Sequence, residues 1–369
     1  MKLFITYEYF LPAYKAGGPV QSLANLIANY SHADIYIYCR DTDLDGTVLD
    51  VKTNEWVQFN KNTKVFYASA KSETSVYDLL TEVEPDVIFI NGVFSPAFNL
   101  KPLLWSGDAH KVVSARGMLH PGALSQKSLK KKLYLAAYKL LGLHKKCNFH
   151  VTTQEEKQYV LDTFGNSVKV YVAPNFPNVI AKQPITTKDG GKLKLITIAL
   201  ISPMKNIKLV LEALSQCNAE ITYDIYGPVK DAAYWEECQT VIATMPDNIK
   251  LQYHGAVTPD KMLSVLADSH CMIQPSKSEN FGHAIYEALA AGKPVITSHY
   301  TPWDNLEEAN AGFNVDINNI QSIVDAIEKM ASLNNEAYAA SSNAAAQYAA
   351  KSIDVASVKK DYDAMFLNR

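Results

Sequence analysis

Short β-branched and aromatic runs alternate with helix-patterned stretches from the first residues onward, and the alternation restarts past the middle of the chain. Strand-like runs fall at residues 2–6, 34–39, 64–68, 86–91, 111–115 and 148–152, most of them ahead of a Gly, Pro, Asn or Ser. A strand that repeatedly feeds a helix and then another strand builds βα units, with parallel strands in one sheet and helices on its faces. The pattern pauses at Ala173-Pro174-Asn175-Phe176-Pro177-Asn178. A polar stretch at 182–192 then reads as a linker, and the apolar run 194–200 opens a second series. At 369 residues the chain is long enough for two such domains.

The balance of charge excludes some partners. With 35 Lys plus Arg against 38 Asp plus Glu there is no basic excess to hold nucleic acid. No apolar run approaches the roughly 20 residues of a membrane span. The amino terminus, Met1-Lys2-Leu3-Phe4-Ile5-Thr6-Tyr7, passes straight into a strand pattern and then Glu8, which is unlike a signal peptide. Cys39, Cys147, Cys217, Cys238 and Cys271 are odd in number and scattered, as expected of reduced thiols in a cytoplasmic protein.

The most informative stretch is Ser278-Glu279-Asn280-Phe281-Gly282-His283-Ala284-Ile285-Tyr286-Glu287-Ala288-Leu289, followed by Ala290-Ala291-Gly292-Lys293-Pro294-Val295-Ile296-Thr297. Residues 282–291 are rich in Ala, Leu and Ile and read as a helix, closed by Gly292 and Pro294. Backbone amides at such a helix start are unpaired and carry the positive end of the dipole, a seat for anions or sugar hydroxyls. Glu279 precedes the helix and Glu287 lies inside it, about 7.5 Å along the axis from Gly282. Two carboxylates so placed can grip the two ends of one polar ligand.

The spacing Glu-x7-Glu, with Phe-Gly after the first acid and Ala-Leu-Ala-Ala-Gly-Lys-Pro-Val after the second, resembles the donor signature of glycosyltransferase family four. Members of that family are retaining enzymes that use nucleotide sugars. The resemblance implies an α/β, GT-B fold in which two Rossmann-like domains face each other across a cleft. Residues 1–178 would form the acceptor domain, residues 179–350 the donor domain, and the helix at about 351–369 would pack back onto the first. It also implies site residues. Gly17 and Gly18, in the loop after the first strand, would face the donor phosphate. Lys205 would neutralise the diphosphate, although Leu200 stands where relatives carry a second cation. Gly227 and Gly255 would surround the nucleotide, with simple turn glycine as the competing reading. Ser276, Glu279, Asn280, Phe281, Gly282 and Glu287 complete the donor set, with Glu279 on a sugar hydroxyl and Glu287 on the ribose. The phrase Ser114-Ala115-Arg116-Gly117-Met118-Leu119-His120 resembles one branch of the family and offers Arg116 or His120 beside the sugar; His120 reads equally well as a helix-entry residue.

The implied activity moves a hexose from a nucleotide sugar, UDP-linked by resemblance, to a saccharide or polyprenyl-linked acceptor in surface polysaccharide assembly. Glu279, Lys205, Arg116 and His120 are the catalytic candidates. No Asp-x-Asp site stands out for holding a catalytic metal with the diphosphate, so no metal or other cofactor is expected. A nucleotide-sugar epimerase and a non-catalytic sugar-binding protein are the alternatives, the second because of Leu200. Residues 127–146 complete the reading. As a helix they set Leu129, Leu133, Ala136, Ala137 and Leu140 on one face, read as the core side. Lys131, Lys132, Lys139, Lys145 and Lys146 gather on the other, around Leu135 and Tyr138. That second face reads either as a rest for an anionic membrane, with the protein peripheral on its inner side, or as plain solvated surface. Asp41-Thr42-Asp43-Leu44-Asp45-Gly46 imitates a calcium loop but has Lys52 at the twelfth position, and is read as a solvated acidic loop.

Overall fold

A computed structural model describes residues 1–125 and 128–368. The chain divides into two units, one from Met1 to Phe176 plus the segment from Asp354 onward, the other Pro177–Ile353. Lys127 and Arg369, the ends of two stretches singled out above, lie outside the described residues.

In the first unit the strands are β1 (Lys2–Thr6), β2 (Asp34–Arg40), β3 (Trp56–Asn60), β4 (Thr63–Ala68), β5 (Val87–Asn91), β6 (His110–Ser114), β7 (Asn148–Val151) and β8 (Val170–Val172). They form one sheet in the order β3-β4-β2-β1-β5-β6-β7-β8. All pairings are parallel except β3 with β4. Phe4, Ile88, Phe89 and Val112 are fully buried, as strands covered on both faces require. The sequence pattern missed β3 because Trp56–Asn60 is half exposed and its pairing comes from a short turn rather than from a buried run.

The second sheet holds β9 (Lys192–Ile198), β10 (Glu220–Tyr226), β11 (Ile249–Gly255), β12 (Cys271–Gln274), β13 (Val295–Ser298) and β14 (Gly312–Val315), in the order β11-β10-β9-β12-β13-β14. This is the doubly wound arrangement, whose strand order reverses beside the first strand. The reversals lie between β1 and β5 in one unit and between β9 and β12 in the other. Ligands bind such sheets outside the carboxyl ends of those strands.

The polar stretch 182–192 is not a solvated linker. Lys188 is 2% exposed, and its ammonium donates to the carbonyls of Ala331 at 2.7 Å and Leu333 at 2.9 Å, closing the helix Ile320–Ser332. A cation at a helix C-terminus meets the carbonyls left without intrahelical partners. The helix Asn335–Ser352 stays on the second unit, where Ser342 donates to the Gly292 carbonyl at 2.6 Å. The helix Val355–Leu367 returns to the first, stacking Tyr362 on Phe176 at 5.0 Å and accepting from Tyr30 at Asp363, 2.5 Å away.

The helix Ser128–Leu140 is turned the other way from the expected one. Leu135 and Tyr138 are buried, and Tyr138 packs on Phe164 with ring centroids 5.5 Å apart. Leu129, Leu133 and Leu140 are 70%, 63% and 89% exposed. Both faces are apolar, and the one with aromatic partners on the sheet side is buried.

Candidate functional site

The loop after β12 builds the most concentrated polar cluster among the candidates. Strand β12 ends in Gln274, and Ser276 follows, both buried. The Gln274 amide donates to Glu279 Oε1 at 2.8 Å, and the Ser276 hydroxyl donates to the same oxygen at 2.7 Å. The Lys205 ammonium donates to it as well and forms the ion pair of this site. The Glu279 side chain keeps only 10% of its exposure, so donors have largely replaced water around the carboxylate. A backbone bond from Lys277 N–H to the Met204 carbonyl, 2.9 Å, ties the two loops together. Lys205 itself ends a single 3-10 turn, Pro203–Lys205, which Asn206 closes in a left-handed conformation with φ 60°.

Gly282 then redirects the chain. Its φ of 73° places it in the left-handed region, and a Cβ there would stand 3.2 Å from both Trp303 Nε1 and Ile285 Cδ1. The helix His283–Ala290 starts immediately after it. Trp303 holds this corner: its indole N–H donates to the Phe281 carbonyl at 2.6 Å, and its ring lies 5.4 Å from Phe281 and 5.5 Å from Tyr286. Asn280 is partly exposed on the same loop. Glu287 sits on the buried side of the helix, 4% exposed, and accepts one bond from the Asn178 amide at 3.1 Å. Burial raises its pKa to about 7, and the Asn178 bond offsets only part of that rise.

Gly227 and Gly255 adjoin the ends of β10 and β11. The Gly227 N–H donates to the Gly255 carbonyl at 2.7 Å. A Cβ on Gly227 would fall 1.7 Å from the Ala199 carbonyl oxygen. The close approach that needs this glycine is therefore made by the neighbouring chain segment, which is the turn-glycine reading. At Gly255 the space is open. His254 stacks on Tyr226 at 4.4 Å and bonds Asp224 at 2.6 Å.

In the first unit, Gly17 has φ 77° and caps the helix Gly18–Asn29, with Pro19 in its first turn. The preceding turn is braced by the acidic loop, a correction to its reading as plain solvated surface. Asp43 is buried and accepts from Lys15 N–H at 3.2 Å, while Asp45 pairs with the Lys15 ammonium at 2.7 Å. Arg116 follows β6 with φ 50°, a conformation that costs a non-glycine residue about 1–3 kcal/mol. Its Nε and Nη2 donate to Asn91 Oδ1 at 2.9 and 2.7 Å, and Nη1 donates to Asn175 Oδ1 at 2.9 Å. Buried Glu156 accepts from Gly117 N–H at 2.5 Å and from Thr152 N–H at 2.8 Å, clamping the Arg116 turn to the end of β7. Nearby His150 is fully buried between the Ser114 hydroxyl and the Ala173 carbonyl. Burial first, and Arg116 second, push its pKa down to about 3, so it is neutral. His120 lies at the entry of the helix Pro121–Ser125. Its Nδ1 accepts from Gly122 N–H at 3.0 Å, and its ring meets Tyr159 edge-on at 5.2 Å.

The structure thus gathers Lys205, Ser276, Glu279, Phe281 and Gly282 in one cluster, with Glu287 on the helix that leaves it. Sequence reasoning missed Gln274, Trp303 and Asn178. Gln274 left a trace, a polar residue closing the apolar run Cys-Met-Ile, but nothing local marks the other two as partners of the signature.

The family profile of glycosyl transferases group 1 matches residues 179–348. The GtfA subunit of UDP-N-acetylglucosamine–peptide N-acetylglucosaminyltransferase from Streptococcus agalactiae is 25% identical over 156 residues, 40% of this chain and 29% of the relative. The chain therefore spans under a third of that relative's length. Sucrose-phosphate synthase from Thermosynechococcus elongatus superimposes with a TM-score of 0.75 at 11% identity, covering 100% of both chains. WaaG, a glycosyltransferase involved in lipopolysaccharide biosynthesis, does so with a TM-score of 0.69 at 13% identity, again over 100% of both. At such identities the likeness speaks for the fold. The match to the group 1 glycosyl transferases covers residues 179–348, and the chain has a GT-B fold of two Rossmann-like units.

Proposed function

We propose that this protein is a retaining glycosyltransferase that takes a hexose from a nucleotide sugar, UDP-linked, and passes it to a saccharide or polyprenyl-linked saccharide. The observation that carries the reading is the Lys205–Glu279 pair, set among Gln274 and Ser276 at the mouth of a helix. An ammonium has three donors, so Lys205 keeps Glu279 and still reaches a phosphate oxygen. Lys205 and the amides at the Gly282 corner stabilise the diphosphate as it departs. Glu279 accepts from a sugar hydroxyl and orients the anomeric carbon. Glu287 accepts from the ribose hydroxyls. On the first unit, Gly17, Gly18 and Arg116 are the candidate residues.

The acceptor oxygen bonds to the anomeric carbon on the face from which the phosphate leaves. The leaving phosphate oxygen takes the acceptor's proton, so charge and protons balance without a protein base. Positioning and charge stabilisation supply the rate. The name of the streptococcal relative supports UDP as the nucleotide, and that of WaaG supports a role in surface polysaccharide assembly. A polyprenyl-linked acceptor would place the protein on the inner face of the cytoplasmic membrane. Among the described residues no helix is long and apolar enough to cross one.

The test is transfer from labelled UDP-sugars, with and without polyprenyl-linked saccharide. Transfer that requires acceptor supports the reading. Donor turnover without acceptor would make the protein an epimerase, and binding without turnover a sugar-binding protein, the outcome that Leu200 favours.

A further inference from the structure

We infer that the helix Ser128–Leu140 is a docking face for an anionic phospholipid bilayer, with its leucines rather than its aromatic residues entering the lipid. At 3.6 residues per turn, Leu129, Leu133, Ala136 and Leu140 fall in one row along the helix. The three leucines of that row are 70%, 63% and 89% exposed, and Leu141 just beyond is 68% exposed. Lys132 and Lys139 border the row on one side and Lys130 on the other, all exposed, and Lys145 and Lys146 follow in the next turn. Lys131 belongs to the opposite face, where it donates to the Ala123 carbonyl at 2.6 Å and lies over the Phe94 ring.

Charge chooses the occupant. Residues 128–146 contain six lysines and no Asp or Glu. None of the five exposed lysines has an ion-pair partner among the described residues. A leucine row bordered on both sides by lysine matches the layered chemistry of a bilayer surface, acyl chains below and anionic headgroups beside them. The aromatic side is already committed to the protein core through Tyr134, whose hydroxyl donates to the Val93 carbonyl at 2.9 Å, and through buried Leu135 and Tyr138.

The assignment rests on the proposed lipid-linked acceptor only for its purpose. The measurement needs neither donor nor turnover, so loss of one reading leaves the other standing. The full-length protein is floated with vesicles of phosphatidylcholine and phosphatidylglycerol, and with vesicles of phosphatidylcholine alone. Binding to the first that weakens with salt, and little binding to the second, is expected. Leu133→Ser and Leu140→Ser are exposed changes that leave the melting temperature in place, and each should lower partitioning roughly tenfold. Equal flotation of the double variant, or no flotation of the unaltered protein, overturns the assignment. A dimer in sedimentation that the same two substitutions dissociate would also overturn it, because the row would then belong to a second copy of the chain.

Discussion

Glu279 and Glu287 stand eight positions apart, on opposite sides of one glycine corner, and their surroundings could hardly differ more. Three donors converge on one oxygen of Glu279, including the Lys205 ammonium, on a loop that keeps some contact with water. Glu287 is buried against the helix with a single amide for company, and burial carries its pKa to about 7. Two acids of one signature are thus prepared differently. The first is held as an oriented acceptor by three donors; the second has one donor, and burial with so little compensation raises its pKa.

The largest effect expected from breaking this contrast is on turnover. Glu279→Ala and Lys205→Ala should each lower transfer from UDP-sugar by roughly 10²–10³-fold, the scale of losing one preorganised charge-stabilising contact. Circular dichroism and melting should stay close to those of the unaltered protein. Near-normal rates in both variants would remove the proposed roles.

Next in size is the pH dependence of stability contributed by Glu287. Its pKa is raised on folding, so between the unfolded value of 4.5 and about 7 the folded chain binds the extra proton. That contribution to stability is present below pH 4.5, declines as pH rises through this window, and is gone above about 7. Glu287→Gln should flatten the slope by up to one proton and raise stability at pH 8 by about 2–3 kcal/mol relative to the unaltered chain. Urea melts at pH 5, 6, 7 and 8 measure it; an unchanged slope would show that Glu287 is not the group responsible.

A smaller change addresses the corner that separates the two acids. Gly282→Ala forces a side chain into the left-handed region beside Trp303 and should cost about 1–2 kcal/mol. Chemical denaturation reads that loss, and donor affinity should fall with it if the corner orients the helix amides. The smallest effect belongs to Asn178→Ala. It removes the one donor to Glu287 and should cost about 1 kcal/mol at pH 8, and less at pH 5 where the carboxyl is protonated. An isotope-edited carboxyl signal should show the Glu287 pKa moving upward.

Several elements were legible before any coordinates. Residues 2–6 are strand β1 at the expected limits. The helix of the signature begins at His283, one residue after Gly282, because the glycine is its cap rather than its first turn. The unit boundaries fall after Phe176 and Ile353, against 178 and 350 in the sequence reading.

Local periodicity therefore set the doubly wound plan, and residue types at a fixed spacing set the signature. Local order of that kind depends on neighbours within a few positions and is written directly in the chain. Which partners reach across from other loops was decided only by the tertiary structure. Gln274 and Lys205 on Glu279, Trp303 on the Phe281 carbonyl and Asn178 on Glu287 are such contacts. The orientation of the helix Ser128–Leu140 was decided the same way. Its two sides are both apolar at helical spacing, so periodicity predicts the helix without choosing its inner face. Phe164 and Val93, brought near by the sheet, chose Tyr138 and Tyr134 and left the leucines outside.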